Sequence, residues 1–268
     1  MRLLDETIPL DPRAYLERIN NTIHIDLDAP EPSAPLLRAL HQAHMLAVPF
    51  ENLSIHYGQP IVLEEAALYD KIVRRRRGGF CYELNGLFAW LLRRLGFRVS
   101  LLSARVARGD GDFTPEFDHM ALHVQRLDGA DWLADVGFGD SFRQPLRLRA
   151  DLEQDGGDGH TYRLRHDPGD GSWVVQRDGE EADWKSQYRF ILRARDLADF
   201  VDRCHFQQTS PDSHFTQNRI CSLATPEGRV TLSGLRLITT LRGVREEREL
   251  ASEDEYRAVL SDRCGVTL

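Results

Sequence analysis

Residues 77–85 decide the fold and read Arg77-Gly78-Gly79-Phe80-Cys81-Tyr82-Glu83-Leu84-Asn85. Two glycines precede a cysteine, and apolar residues at helical spacing follow until Gly96, a residue type that often ends helices. The pattern predicts an amphipathic helix over residues 79–95 with Cys81 in its first turn. Glycines let other groups approach the backbone closely, and the positive end of a helix dipole favours a thiolate. Cys81 is therefore a candidate nucleophile, with a small buried hydrophobic residue as the alternative interpretation.

The rest of the first 96 residues is also predicted to be mostly helical. Pro12 suits the first turn of a helix that follows Asp11, and Ser33 suits the N-cap of a second helix with Pro35 in its first turns. Residues 66–75 are a third helical candidate. The first segment is therefore expected to be a helical domain.

The hydrophobic period changes from helical to alternating at about residue 97. Strands are predicted at residues 97–101, 120–124, 132–136, 162–165 and 173–176. They indicate an antiparallel sheet or barrel over about residues 97–195. A helix, strand pairs and a closing helix are predicted to follow, at residues 195–204, 228–241 and 252–260. The chain is thus predicted to be an α+β protein with up to three sub-domains.

A nucleophilic thiolate needs an imidazole base, and the imidazole needs an acceptor that orients it. His119 and Asp135 are the best candidates, because they lie on two neighbouring strands. If Leu127-Asp128-Gly129 form a hairpin loop, paired residue numbers sum to 256, and His119 and Asp135 share a face as diagonal neighbours. A two-residue Asp128-Gly129 turn would instead place them on opposite faces. The sequence is compatible with the productive register and does not fix it.

Asp135 interrupts the apolar run of residues 132–136, so an ionised carboxylate there needs a partner. His123 is an alternative to His119 as the functional histidine. The spacing of the two histidines resembles a metal-binding pair only on a helix, and no third ligand is suitably spaced. We therefore expect no metal site.

Composition limits the classes of partner and compartment. The 268 residues are 41% hydrophobic, which allows a sizeable core, and 34 basic against 42 acidic residues give a net charge of −8. That charge argues against a general nucleic-acid binder. No apolar stretch approaches 18 residues and residues 1–6 turn acidic at once, so we expect no membrane span, no signal peptide and a cytoplasmic protein. The cysteines form no CxxC pair and are expected to be free thiols: Cys81, Cys204, Cys221 and Cys264.

Several short motifs follow one another along nearly the whole chain. They are Pro49-Phe50-Glu51-Asn52, residues 77–85, His119-Met120-Ala121-Leu122, residues 132–139, Ser213-His214-Phe215-Thr216 and Ile220-Cys221-Ser222. Each motif alone is weak, but the second, third and fourth in this order are specific. With these motifs the chain resembles the arylamine N-acetyltransferases.

The resemblance implies a Cys-His-Asp triad, which falls on Cys81, His119 and Asp135. It also implies a cysteine-protease-like helical domain, an antiparallel β-barrel domain and an α/β lid domain. In this chain these would span residues 1–96, 97–195 and 196–268.

The resemblance further implies acetyl-coenzyme A as acyl donor and an aromatic amine or hydrazine as acceptor. The loop Gly137-Phe138-Gly139 would lie beside the coenzyme, so that the backbone N–H groups of Gly137 and Gly139 meet its pyrophosphate. On its own this loop is no Walker motif and predicts only a turn. The sequence leaves a homo-oligomer open.

These features favour a ping-pong acetyltransferase, in which Cys81 takes the acetyl group and an amine then attacks the thioester. The alternatives are an amide synthase of the same family that closes a macrolactam, a papain-like thiol hydrolase, and a binding protein with a vestigial triad. An intact triad argues against the last. The third segment is expected to line the acceptor pocket and shield the thioester from water. The residues on which this expectation rests are Phe200, Phe206, Gln207, Gln208, Thr209 and Phe215.

Overall fold

The structure is a computed structural model that describes residues 10–20, 25–109, 111–179 and 183–268. The expectation of no signal peptide rests on residues 1–6, which lie outside these ranges. None of the helices in the described ranges is long and apolar enough to cross a membrane.

The first part of the chain is helical, as predicted. Asp11 and Ser33 cap the first two helices by accepting hydrogen bonds from the N–H groups of Arg13 and Leu36. A π-helical turn over Asp70–Arg74 extends the predicted third helix. The elements are α1 (Pro12–Arg18), α2 (Ala34–Ala47), β1 (Phe50–Glu51), α3 (Leu53–His56), α4 (Glu65–Tyr69) and α5 (Cys81–Arg94).

Helix α5 lies at the centre of the largest hydrophobic core. Its apolar stripe is fully buried in one cluster with side chains from α1, α2 and the π-helical turn. Full burial of one such side chain stabilises the fold by about 1.5–3 kcal/mol. The stripe therefore fixes the helix that begins at Cys81 against the rest of the helical part.

An eight-stranded antiparallel sheet follows in the order β5-β4-β3-β2-β9-β8-β7-β6. Its two edges meet where the Gln154 side chain bonds the backbone N–H and carbonyl of Arg147, which nearly closes a barrel. The strands are β2 (Val99–Val106), β3 (His119–Leu127), β4 (Ala130–Ala134), β5 (Leu146–Arg147), β6 (Gln154–Asp155), β7 (Thr161–Asp167), β8 (Ser172–Asp178) and β9 (Trp184–Arg195). The predicted α+β architecture is therefore confirmed.

The β3–β4 hairpin decides whether His119 and Asp135 meet. Val124 pairs with Trp132, so the numbers of paired residues sum to 256, as predicted. The turn itself is nevertheless the two-residue Asp128-Gly129 turn, in which both residues have positive φ, 50° and 75°. The predicted register is confirmed, and the predicted three-residue loop is wrong.

A β-bulge reconciles the short turn with this register. Between Val124 and Leu127 the pairing shifts, because two residues of β3 oppose Asp131 alone. The Asp131 carboxylate accepts hydrogen bonds from the Arg126 N–H at 2.8 Å and from His123 Nε2 at 2.9 Å. One aspartate thus holds the bulge that puts His119 and Asp135 on the same face.

The third part of the chain builds a five-stranded sheet in the order β1-β10-β11-β12-β13, with β1 contributed by the first part. Phe200 and Cys204 pack in the α5 core rather than under this sheet. The elements are a 3₁₀ turn (Leu197–Phe200), α6 (Val201–Thr209), α7 (His214–Gln217), β10 (Ile220–Thr225), β11 (Gly228–Ser233), β12 (Arg236–Leu241), β13 (Val244–Glu249) and α8 (Glu253–Cys264). The hydrophobic core around α5 therefore includes side chains from beyond residue 195, where the sequence predicted a domain boundary.

Candidate active site

Cys81 is the first residue of α5 and is almost completely buried. A side chain at Gly78 would collide with the Pro49 carbonyl oxygen, and a Cβ at Gly79 would lie 2.8 Å from the Glu83 side chain. Glycine is required at both positions because neighbouring groups pack directly on this backbone. The close approach predicted from the two glycines is confirmed.

A buried network of charges lies behind the loop that carries Cys81. Lys71 Nζ contacts Glu83 Oε1 at 2.7 Å, and Arg77 Nη2 contacts Glu51 Oε1 at 2.9 Å. Glu83 Oε2 also accepts a hydrogen bond from the Phe80 N–H at 3.2 Å. Buried charges are tolerated where each has a close partner, so this network fixes the start of α5 in one position.

His119 and Asp135 form a buried pair, with 2.7 Å between His119 Nε2 and Asp135 Oδ2. Asp135 Oδ1 accepts hydrogen bonds from Asn85 Nδ2 and from the Gly137 N–H, each at 2.9 Å. Burial alone raises the pKa of Asp135, but the charge of His119 and these hydrogen bonds outweigh burial and lower that pKa below its ordinary value. Asp135 is therefore a carboxylate that orients the His119 ring.

Two aromatic rings hold the imidazole of His119. Its centroid lies 5.1 Å from that of Phe138 in an edge-to-face arrangement and 5.0 Å from that of Tyr188. Because Nε2 is engaged by Asp135, Nδ1 is the nitrogen that remains for a proton donor in the site. The ring is thus fixed in the orientation that a general base needs.

Burial raises the pKa of the Cys81 thiol well above its usual range. A hydrogen bond from the Met120 backbone lowers that pKa, whereas the negative charges of Asp118 and Asp135 raise it. Burial therefore opposes any effect of the helix start on this thiol, which agrees with the expectation that an imidazole is needed as well. A thiolate at Cys81 requires a cationic partner such as protonated His119.

Cys81 and His119 line one cavity of about 370 Å³. Four phenylalanines form much of its wall: Phe50, Phe138, Phe206 and Phe215. Arg203 also lines it, but its charge is matched by Asp118, which lies 2.8 Å from Arg203 Nε. The cavity is within the range of small-molecule sites and suits a flat apolar group close to the cysteine.

The loop after Asp135 only partly follows the predicted arrangement. Gly137 and Phe138 line the cavity, but the Gly137 N–H is already bonded to Asp135. The predicted hydrogen bond from Gly137 to pyrophosphate is therefore wrong. This glycine is required for another reason, because a Cβ would lie 2.7 Å from Asn85 Nδ2 and 2.8 Å from Cys81 Cα. Gly139 follows with a φ of +92°, and its contact with the coenzyme stays a prediction.

Other residues singled out in the sequence have separate roles. His123 bonds Asp131 in the hairpin bulge and does not line the cavity. Phe200 is core, packed against Phe117 and Tyr82, so its predicted place in the acceptor pocket is wrong. Gln208 bonds the backbone of Ile61, and Thr209 is exposed. In the third segment the expected pocket residues are therefore Phe206, Gln207 and Phe215.

Two residues that support Asp135 received no role from the sequence. Asn85 lies four positions after Cys81, where a polar residue interrupts the apolar helix. His41 accepts a hydrogen bond from the Asp135 N–H at 3.1 Å and donates one to the Arg143 carbonyl at 2.9 Å. Burial lowers the pKa of His41 to about 4, so the neutral ring can accept and donate in this way.

No group of three or more His, Cys, Asp or Glu side chains within the described ranges is arranged to hold a metal ion. The His119–His123 pair is split between the cavity and the hairpin bulge. Cys81 and His119 present a thiol and an oriented imidazole to the cavity, and the buried Asp135 carboxylate holds the imidazole.

The chain is similar to known proteins over nearly its whole length. A family model described as N-acetyltransferase matches residues 34–268, which include Cys81, His119 and Asp135. The arylamine N-acetyltransferase of Mycolicibacterium smegmatis is 35% identical over 266 residues, 97% of this chain and 93% of that protein.

Solved structures agree with this similarity. An arylamine N-acetyltransferase from Salmonella typhimurium has a TM-score of 0.88 at 32% identity, covering 95% of this chain and 90% of that one. The Mycobacterium marinum arylamine N-acetyltransferase in complex with CoA has a TM-score of 0.85 at 34% identity, covering 96% of this chain and 93% of that one.

Proposed function

This chain belongs to the arylamine N-acetyltransferase family, and from that premise we propose that it transfers acetyl groups from acetyl-coenzyme A to arylamines, arylhydrazines or related amines through a thioester on Cys81. The observation that carries the proposal is the oriented His119–Asp135 pair beside Cys81 in one aromatic cavity. Covalent acyl transfer needs these groups, because a thiol is activated by a base that a third residue orients.

In the first half-reaction the thiol proton of Cys81 passes to Nδ1 of His119. The Cys81 sulfur then forms a bond with the acetyl carbonyl carbon, and the bond between that carbon and the coenzyme sulfur breaks. His119 gives its proton to the departing coenzyme sulfur, which leaves as the thiol, so that His119 is neutral again. Because burial raises the pKa of the Cys81 thiol, formation of the nucleophile depends on His119 as the proton acceptor.

In the second half-reaction the amine nitrogen attacks the carbonyl carbon of the thioester while His119 accepts a proton from it. The carbon–sulfur bond breaks, the amide is released, and Cys81 regains its proton from His119. Asp135 stabilises the imidazolium ion that forms in each half-reaction. The two half-reactions share one base, which is consistent with ping-pong transfer.

Coenzyme A as the donor is supported by the Mycobacterium marinum relative, whose structure is described as a complex with CoA. In this chain Arg108 is an exposed cation that lines the same cavity as Cys81, and its charge fits a phosphate of the coenzyme. The phenylalanine walls fit an aromatic acceptor, since offset or edge-to-face ring contacts are favourable by about 0.5–1.5 kcal/mol each.

Intact-mass measurement after incubation with acetyl-coenzyme A alone tests the proposal. We expect a gain of one acetyl group that maps to Cys81 and is removed when an arylamine is added. Cys81→Ser should take no label, whereas Cys264→Ser, altered at the far end of α8, should label normally. A label on Cys204, Cys221 or Cys264, or no label on the wild-type protein, would contradict the proposal.

The same assay separates the alternatives. Release of acetate to water without an amine would favour a thiol hydrolase. Failure with acetyl-coenzyme A but cyclisation of an amine-bearing polyketide thioester would favour an amide synthase. Absence of every acyl transfer would favour a binding protein.

A further inference from the structure

Asn85 connects all the backbone segments that carry the triad. It lies on α5 one turn after Cys81 and is completely buried. Its amide nitrogen donates to Asp135 Oδ1 at 2.9 Å and to the Met120 carbonyl at 2.6 Å. Its amide oxygen accepts a hydrogen bond from the Val136 N–H at 2.9 Å. One side chain therefore contacts the Asp135 carboxylate and the backbone next to both His119 and Asp135.

We propose that Asn85 is a positioning residue for acetyl transfer, which sets the geometry of Cys81, His119 and Asp135 relative to one another. The inference rests on the proposed function, since it assigns Asn85 a part in the same reaction.

The carboxamide group suits this role because both of its N–H groups and its oxygen are used. An aspartate of the same shape would keep the acceptor for Val136 but present an oxygen to both Asp135 and the Met120 carbonyl. A glutamine is longer by one methylene, and Gly137 packs so closely that a Cβ there would lie 2.7 Å from Asn85 Nδ2. The site therefore has no room for a longer amide.

The hydrogen bond to Asp135 also selects the oxygen that faces His119. With Oδ1 held by Asn85 and the Gly137 N–H, Oδ2 is the atom directed at His119 Nε2. Loss of this restraint lets the carboxylate rotate and the imidazole follow. Misplacement of a catalytic group by about 1 Å can cost about 100-fold in rate.

Asn85→Asp distinguishes positioning from simple support of the fold. Burial and the negative charge of Asp135 raise the pKa of a carboxyl at position 85, so it donates to Asp135 when protonated and repels it when ionised. The titratable groups that face Asp135 from the other elements are His41, Cys81, His119 and Tyr188. These groups are the same in the variant and the wild type. The ratio of the Cys81 acetylation rates of the two proteins therefore reports the ionisation of the residue at position 85.

The experiment measures the rate of Cys81 acetylation by acetyl-coenzyme A between pH 6 and pH 9 in the wild type, Asn85→Asp and Asn85→Ala. We expect a loss of about 100-fold for Asn85→Asp at the alkaline end, with a ratio to wild type that rises as the pH falls. Asn85→Ala should lose activity with no such pH dependence. Asn20→Asp, on the exposed surface just after α1, is the matched control and should follow the wild type.

Several results would overturn the proposal. A wild-type rate in either Asn85 variant removes the positioning role. Equal losses with parallel pH profiles in both variants indicate a structural role only. If Asn85→Asp does not fold, as judged by circular dichroism, the test passes to Asn85→Ala, where an unchanged rate overturns the proposal and a large loss at unchanged melting temperature supports it. Failure of the proposed function is a separate result, because the wild-type protein itself would then take no acetyl group.

Discussion

His119 illustrates how single residues make the site work. Its Nε2 is engaged by Asp135, and its ring packs against both Phe138 and Tyr188, so its orientation is fixed before any substrate binds. Cys81 is buried in the same cavity, where the thiol form is favoured. We therefore expect the reactivity of Cys81 to depend on His119 rather than on the other groups around the thiol.

The pH dependence of Cys81 alkylation should reveal this dependence. Burial raises the pKa of the thiol, so without an imidazole to accept the proton the thiolate forms only in strongly alkaline solution. In His119→Ala we expect iodoacetamide to react with Cys81 much more slowly at pH 7 and to gain rate only at alkaline pH. The wild type should react at neutral pH.

His123→Ala is the control for this measurement, because His123 bonds Asp131 in the hairpin bulge and does not line the cavity. Its alkylation profile should match the wild type. A normal profile in His119→Ala together with a shifted one in His123→Ala would reverse the assignment of the base.

His41 offers a second residue-level test, since its two nitrogens have different partners. Nε2 accepts from the Asp135 N–H, and Nδ1 donates to the Arg143 carbonyl. In His41→Gln the amide oxygen can replace Nε2 as acceptor, whereas in His41→Asn the shorter amide can replace only Nδ1 as donor. We expect His41→Gln to keep most of the turnover and His41→Asn to lose more.

The physical reason is the unpaired N–H of Asp135 in His41→Asn, because a buried donor without a partner costs about 1–3 kcal/mol. Turnover number and melting temperature of both variants provide the measurement. The interpretation fails if His41→Asn is the more active variant. That result would mean that the hydrogen bond from His41 to the Arg143 carbonyl matters more than the one from the Asp135 N–H.

The candidate triad residues were easier to identify from the sequence than the residues that support them. Cysteine, histidine and aspartate have recognisable chemistry, and their motifs stand out in the chain. His41 and Asn85 reach Asp135 across 94 and 50 positions of sequence, respectively. Periodicity shows which side of an element is buried but not which atoms meet there, so these contacts could not be predicted from a single sequence.

At the level of elements, the β3–β4 hairpin and the loop that follows it bring Asp135 to α5. The register of the hairpin was predicted from residue numbers, but the bulge at Asp131 was not, because a bulge leaves no signature in the alternation of apolar residues. Gly137 then passes against the first turn of α5, where a Cβ would lie 2.8 Å from Cys81 Cα. The distance between loop and helix therefore depends on the absence of a side chain at position 137.

Gly137→Ala should push the loop that follows Asp135 away from the first turn of α5. The added methyl group meets helix backbone and the Asn85 amide, neither of which can move without displacing Cys81 or Asp135. We expect turnover to fall by about 100-fold, as for a catalytic group misplaced by roughly 1 Å. Steady-state kinetics and thermal melting of the purified variant provide the measurement.

Gly129→Ala is the matched control for this substitution. Unlike Gly137, Gly129 has a positive φ, at 75°, and a Cβ there meets nothing within 4 Å. It should lower stability by about 1–2 kcal/mol through backbone strain and leave the turnover number close to that of the wild type. Equal turnover losses in the two variants would show that Gly137 matters for stability alone.

Across the whole molecule, the third part of the chain is fastened to the first at the edge of the cavity. Asn52 Nδ2 donates to the carbonyls of Phe215 and Asn218, and His56 Nε2 bonds the same Phe215 carbonyl at 3.0 Å. The Phe215 ring lies 5.5 Å from Phe80, the neighbour of Cys81. Hydrogen bonds from the first part therefore hold the backbone of this segment at the cavity, and the ring of Phe215 forms part of the cavity wall.

This arrangement also decides how a lid role can be tested. Removal of the third part would delete Phe200 and Cys204 from the α5 core. A truncated chain would therefore lose stability in addition to any shielding of the Cys81 thioester from water. Phe215→Ala removes only the ring, because the hydrogen bonds at this position come from the backbone. The substitution opens the cavity beside Cys81 without cutting the attachment of the segment.

In Phe215→Ala we expect the acetylated enzyme to lose more of its acetyl group to water and less to an arylamine, because transfer competes with hydrolysis only while water is excluded and the acceptor is held close. The ratio of amide product to free acetate, measured from pre-acetylated enzyme, is the readout, and we expect it to fall severalfold. Val201→Ala removes an exposed apolar side chain from neighbouring α6 and should leave the ratio unchanged. An unchanged ratio in Phe215→Ala would mean that the first two parts of the chain protect the thioester by themselves, and that the third part is attached for stability rather than for cover.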